Sequence, residues 1–103
     1  MTAHLIQILL PVKDNEGKAF ERSAFERVSA ELSERFGGAT AFVRSPARGL
    51  WETREGRQRD DVIIIETMAE ELDEDWWRAY RGELEKRFCQ DSIVIRSQAV
   101  LIL

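Results

Sequence analysis

A chain of 103 residues, 44% hydrophobic and 33% charged, is long enough for one core, too short for two and too apolar for disorder. Its formal net charge of −4 argues against a general nucleic-acid binder, which carries a strongly basic face. The single cysteine, Cys89, excludes an internal disulfide, and no apolar stretch approaches the ~20 residues of a membrane span.

Leu5-Ile6-Gln7-Ile8-Leu9-Leu10 reads as a buried strand, ended by Pro11, which lacks the amide hydrogen to continue a ladder. No basic region precedes this run and Gln7 interrupts it, so no signal peptide is expected and the expected location is cytoplasmic. Asp14-Asn15-Glu16-Gly17 is a turn cluster. Phe20, Ala24, Val28, Leu32 and Phe36 then recur every four residues, with Phe25 flanking, which predicts an amphipathic helix over 18–36. On its outer face Glu31 stands in the favourable order before Arg35. Gly37-Gly38 stops the helix by supplying a left-handed C′ position.

Ala39 to Arg44 reads as a strand, Ser45-Pro46-Ala47 as a break, and Gly49 to Thr53 as a short strand in a small hairpin around Trp51. Arg54 to Arg59 is a polar loop. Val62-Ile63-Ile64-Ile65 is an unbroken β-branched run of the kind found at the centre of a sheet. A second helix is predicted over 72–88: Asp73 as N-cap, Glu74 and Asp75 in the first turn, Lys86 and Arg87 in the last. Trp76, Tyr80, Leu84 and Phe88 mark its buried stripe, with Trp77 beside it. Ile93 to Arg96 is the final main strand, and Ala99-Val100-Leu101-Ile102-Leu103 is an apolar tail.

This order predicts an α+β fold over 1–103, a ferredoxin-like split β-α-β sandwich. Its four-stranded antiparallel sheet carries two helices on one face, plus the small hairpin. The sequence also resembles a family of small bacterial proteins with FGG-x-T and G-L-W motifs. The matching pieces are Leu5 to Pro11, Phe36-Gly37-Gly38-Ala39-Thr40-Ala41-Phe42, Gly49-Leu50-Trp51 and Leu72-Asp73-Glu74-Asp75-Trp76-Trp77. That resemblance implies one compact α+β domain and brings no reaction with it.

Candidate chemistry is sparse. His4 is the only histidine, 85 positions from Cys89, a spacing that fits no metal site. It reads as a solvated strand-end residue, and Cys89, beside Phe88, as a half-buried inert thiol. No metal and no cofactor are expected. The acidic run Glu70, Glu71, Asp73, Glu74, Asp75 lacks the glycine and spaced ligands of a calcium loop and is explained by the helix N-terminus. From Arg44 to Arg59 five arginines stand against Glu52 and Glu55, a local +3. With Phe42 and Trp51 interleaved, that stretch suits a small anionic ligand, set against an ordinary solvated loop. RNA is disfavoured, because Val62-Ile63-Ile64-Ile65-Glu66 carries no aromatic residue for stacking.

Strand alternation assigns Leu5, Gln7, Leu9, Thr40, Phe42, Arg44, Val94 and Arg96 to the helix-free face, and Glu66 too if Val62 and Ile64 lie there. That mixture is too apolar for open water. Two functional readings follow. One is a non-enzymatic homodimeric assembly or binding module, paired through this face or through the apolar tail. The other is a small enzyme or small-molecule binder with a pocket on this face, its ligand contacts supplied by Arg44, Trp51, Arg96 and Glu66. Neither nucleic acid nor membrane is an expected partner.

Overall fold

The computed structural model describes residues 1–44 and 62–103, and the hairpin expected around Trp51 lies outside the described residues. In chain order the elements are β1 (Thr2–Pro11), α1 (Arg22–Phe36), β2 (Thr40–Arg44), β3 (Val62–Ala69), α2 (Glu74–Arg87) and β4 (Val94–Leu101). The four strands form one antiparallel sheet in the order β2-β3-β1-β4. This is the ferredoxin-like arrangement, with the Val62–Ile65 run on an inner strand as its composition requires.

Both helices cover the same face. Ile6, Ile8 and Leu10 of β1, with Ile65 of β3, meet Phe25, Val28 and Leu32 of α1 and Trp77, Tyr80, Leu84 and Phe88 of α2. Phe88 is the hub of one end, with its ring centroid 5.1 Å from Phe20 and 5.4 Å from Phe25. At the other end Phe36 stacks on Trp77 at 5.2 Å.

Four expectations need correction. Helix α1 starts at Arg22 rather than residue 18. Asp14 Oδ1 accepts from the backbone N–H groups of Glu16 and Lys18, at 2.9 and 2.8 Å, and Phe20 N–H donates to Val12 C=O at 3.0 Å. These bonds hold residues 12–20 in a tight loop and commit backbone groups that a helix there would need. Second, Trp77 and not Trp76 belongs to the buried stripe of α2. Steps of four residues advance by about 40° each around a helix, so Trp76 stands about 120° from Phe88, whereas Trp77 stands within about 20°. Trp76 is half-buried, stacked on Tyr80 at 4.9 Å.

Third, the apolar tail is no separate segment. Residues 94–101 are one strand, in unbroken register with β1 from Leu9↔Val94 to Thr2↔Leu101. Ile102 N–H continues the ladder to Met1 C=O at 2.7 Å. The tail is therefore paired within its own chain. Fourth, Arg35 turns away from Glu31 and lies over the Trp76 ring, 4.2 Å from its centroid. Glu31 instead takes a bidentate bond from Arg87, a geometry that outweighs an exposed i,i+4 pair.

The helix ends follow their chemistry. Gly37 has φ 86°, and its N–H donates to Ser33 C=O at 2.8 Å, closing α1. Asp73 Oδ1 accepts from Trp76 N–H at 3.1 Å, capping α2.

Candidate functional site

Strand alternation turns Leu5, Gln7 and Leu9 away from the helices, and the register carries that face across the sheet. Gln7 lies opposite Glu66 on one side and Arg96 on the other, and Glu66 lies opposite Thr40. Thr40, Glu66, Gln7 and Arg96 thus form one polar row spanning all four strands. The row beside it holds Phe42, Ile64, Leu9 and Val94, and Ile64 in it is only 1% exposed. On the other side Leu5 stands between Met68 and Gln98.

Three members of the polar row, Arg96, Gln7 and Glu66, are joined side chain to side chain. Arg96 Nε donates to Gln7 Oε1 at 2.9 Å, and Gln7 Nε2 donates to Glu66 Oε1 at 3.0 Å. A cation and an anion at its two ends fix the orientation of the Gln7 amide. Among the described residues, Glu66 Oε2 accepts no hydrogen bond.

Past Glu66, β3 runs on to Ala69, whereas β2 begins only at Thr40. The Gly37-Gly38 turn passes beside this stretch and is tied to it: Thr67 Oγ1 donates to Gly38 C=O at 2.6 Å. Between turn and strand lies a cleft of about 430 Å³ whose walls include Leu5, Phe36, Gly38, Thr40, Glu66 and Met68. A Cβ built on Gly38 meets no atom within 4 Å, so that wall is open. Among the described residues Glu66 is the only ionisable side chain lining the cleft, and the C-terminus of α1, the negative pole of the helix dipole, lies on its rim. Carboxylate and dipole together favour a group that donates hydrogen bonds or carries positive charge.

The sheet brings together two of the four residues expected from sequence. Glu66 and Arg96 share the polar row through Gln7. The backbone of Arg44 lies opposite Val62, four residues along β2 from Thr40. From strand spacing and rise its Cα is roughly 20 Å from that of Arg96. The Arg44 side chain and all of Trp51 lie outside the described residues. Nothing in the sequence alone marks Gly38, Phe36 or Met68 as site residues. The first two read as a helix stop and a stripe residue, and only the register reveals that the turn faces Glu66.

A smaller hollow of about 200 Å³ between α2 and β4 is walled by Trp77, Arg78, Arg81 and Ile95. Its three arginines, Arg96 included, are engaged: Arg78 with Glu74 at 3.0 Å, Arg81 with Glu85 at 3.9 Å and Arg96 with Gln7 at 2.9 Å. Between the helices, Glu31 Oε1 accepts from Tyr80 Oη at 2.8 Å and from Arg87 at 2.7 Å. The Arg87 guanidinium holds the Glu31 carboxyl below the usual carboxylate range, while burial, and next Glu31, push the Tyr80 hydroxyl well above its own. This trio locks α1 to α2.

Cys89 is exposed rather than half-buried. Phe88 is buried and the chain reverses directly after it, with Cys89 in the left-handed region at φ 51°, which turns its side chain outward. His4 is half-buried within β1, in register with Ala69 and Ala99. Among the described residues no three His, Cys, Asp or Glu side chains converge as metal ligands, and no helix is long and apolar enough to cross a membrane.

No protein-family model matches the sequence, and no curated protein does. A solved structure of a phage SAM lyase in complex with S-methyl-5′-thioadenosine superposes with a TM-score of 0.62 over 93% of this chain and 80% of that one, at 16% identity. The two share a fold.

Proposed function

We propose that this chain is a small-molecule-binding domain whose ligand seats in the cleft between Glu66 and the Gly37-Gly38 turn. The observation that carries the reading is the Glu66 carboxylate. One oxygen is fixed by Gln7 at 3.0 Å; the other accepts no bond from the described residues, and Glu66 lines a cleft whose other described walls are apolar side chains, backbone and the Thr40 and Thr67 side chains. Such a site takes a compact molecule with an apolar body and either hydrogen-bond donors or a positive charge. Among the described residues the cleft holds no cation for the anionic ligand suggested by the arginines of residues 44–59.

The shared fold adds a chemical class. The structural neighbour acts on SAM, a sulfonium cation, and is bound to S-methyl-5′-thioadenosine, whose ribose diol offers two donors. Both satisfy a carboxylate beside an apolar wall.

Isothermal titration calorimetry with SAM and with S-methyl-5′-thioadenosine tests the reading directly. At least one is expected to bind, and Gly38→Leu, which fills the cleft from its open wall, is expected to abolish binding while the protein stays folded. Absence of heat with either compound at millimolar concentration, or binding unaffected by Gly38→Leu, would overturn it.

A further inference from the structure

The outer edge of β4 is built as a template for strand addition. Among the described residues no strand lies beyond it, and it runs eight residues, Val94–Leu101. Natural edge strands are blunted by proline, lysine, bulges or short length. β4 has no proline and no lysine, and its unbroken register with β1 leaves no bulge. Its one charged residue is Arg96. Val94 is 53% exposed, Leu101 66%.

The backbone phase of that edge is fixed. Met1 and Ile102 exchange hydrogen bonds, at 2.7 and 3.4 Å. In an antiparallel ladder such pairs alternate, so even-numbered residues of β4 turn their N–H and C=O groups toward β1. Ile95, Ser97, Ala99 and Leu101 therefore turn theirs outward. A second antiparallel strand on that side must pair odd residues with odd and even with even.

Read about Ser97, the strand is symmetric in polarity. Ser97 falls opposite itself, Arg96 opposite Gln98, Ile95 opposite Ala99 and Val94 opposite Val100, with Ile93 opposite Leu101 at the ends. Every polar residue meets a polar one and every apolar residue an apolar one. Moving the centre by one residue sets Arg96 against Val100 in one direction and Val94 against Gln98 in the other. Both arrangements bury polar groups against apolar ones.

We infer that β4 pairs with β4 of a second copy of this chain, antiparallel about a twofold axis through Ser97, to join two sheets into one of eight strands. Pairing of this kind is isologous and closes at two copies, since it consumes the edge in each. Main-chain hydrogen bonds supply the attachment, and the matched side chains set the register. The inference is independent of the cleft at Glu66, which lies across the sheet toward β2.

Sedimentation velocity of the full chain at micromolar concentration is expected to give twice the 11.9 kDa chain mass. Ser97→Pro removes the central outward N–H and no bond to β1, and is expected to give a folded monomer. Gln98→Arg places like charges opposite one another at two points of the interface, with the same result. Adding Arg96→Glu to Gln98→Arg makes those pairs attractive and is expected to restore the dimer. A wild-type chain at its single mass would overturn the inference. So would a dimer unmoved by Gln98→Arg, or a double variant that stays monomeric. The charge variants decide the matter even if Ser97→Pro does not fold.

Discussion

Arg87 of α2 clasps Glu31 of α1 through both terminal nitrogens, at 2.7 and 2.9 Å, while its Nε reaches Glu83 at 3.0 Å. The arginine side chain is 17% exposed, so this pair is less screened than the surface pairs along either helix. Arg87→Ala is expected to destabilise the fold by about 1–3 kcal/mol in urea unfolding. The pair also sets a pH dependence. Glu31 is held below its ordinary range in the folded protein, so its contribution is whole above the unfolded value of about 4.3 and is lost as pH falls through the folded one. Glu31→Gln is expected to flatten that acid-side slope, with the two stability curves converging at low pH.

Tyr80 is the only tyrosine, which makes its titration directly readable. Burial, and next the Glu31 carboxylate, push its hydroxyl upward. A free tyrosine ionises at about pH 10. Near-ultraviolet absorbance should therefore show no tyrosinate in the folded protein at that pH, and should show it on unfolding. The stability this hydroxyl contributes is fully present below the unfolded value and is lost as pH rises through the folded one. Tyrosinate appearing at pH 10 with the far-ultraviolet dichroism intact would refute the Tyr80–Glu31 bond.

Legibility in the sequence followed the range of each interaction. Val62–Ile65 revealed an inner strand because a β-branched run with no polar break suits a strand covered on both sides. Gly37 revealed the end of α1 because a left-handed residue is a local requirement. The start of α1 stayed hidden, since the Asp14 bonds that hold residues 12–20 compete with helix through contacts no periodicity encodes. The cleft stayed hidden for a related reason. Glu66 and Thr40 are 26 positions apart, and only the β2–β3 register makes them neighbours. Alternation put Gln7 and Arg96 on one face and Glu66 there only on condition; the register placed Glu66 opposite Gln7 and brought the three within hydrogen-bond reach.

Trp76 and Trp77 are adjacent in sequence and unequal in structure. Trp77 is 6% exposed and stacks on Phe36 at 5.2 Å within the main core. Trp76 lies toward the surface between Tyr80 and the Arg35 guanidinium. Trp77→Ala is expected to cost about 3–5 kcal/mol, enough to unfold many small domains. Trp76→Ala loses a stacking contact and a cation–π contact, each of order 1 kcal/mol. Parallel urea titrations followed by circular dichroism would show the ranking, and a larger loss for Trp76→Ala would contradict this packing.

The polar row on the helix-free face separates stability from ligand binding. Gln7→Ala removes the donor to Glu66 Oε1 and leaves a half-buried carboxylate oxygen unpaired, at an expected cost of about 1–3 kcal/mol. Replacing both partners, as Gln7→Leu with Glu66→Met, removes the unpaired group altogether. It also extends the apolar rows that flank it at Leu9 and Ile64, and Leu5 and Met68. Exchanging a bonded polar pair for an apolar pair of similar shape is close to neutral. The double variant is therefore expected to match the wild-type midpoint within about 1 kcal/mol and to fall well above Gln7→Ala. The binding proposed for SAM or S-methyl-5′-thioadenosine is expected to be lost in it as well, because the Glu66 carboxylate is gone from the cleft. Urea unfolding and calorimetry on the same three proteins read both effects. A double variant as unstable as Gln7→Ala would mean that the cost lies not in the unpaired Glu66 carboxylate but in the bond from Arg96, which both variants lose.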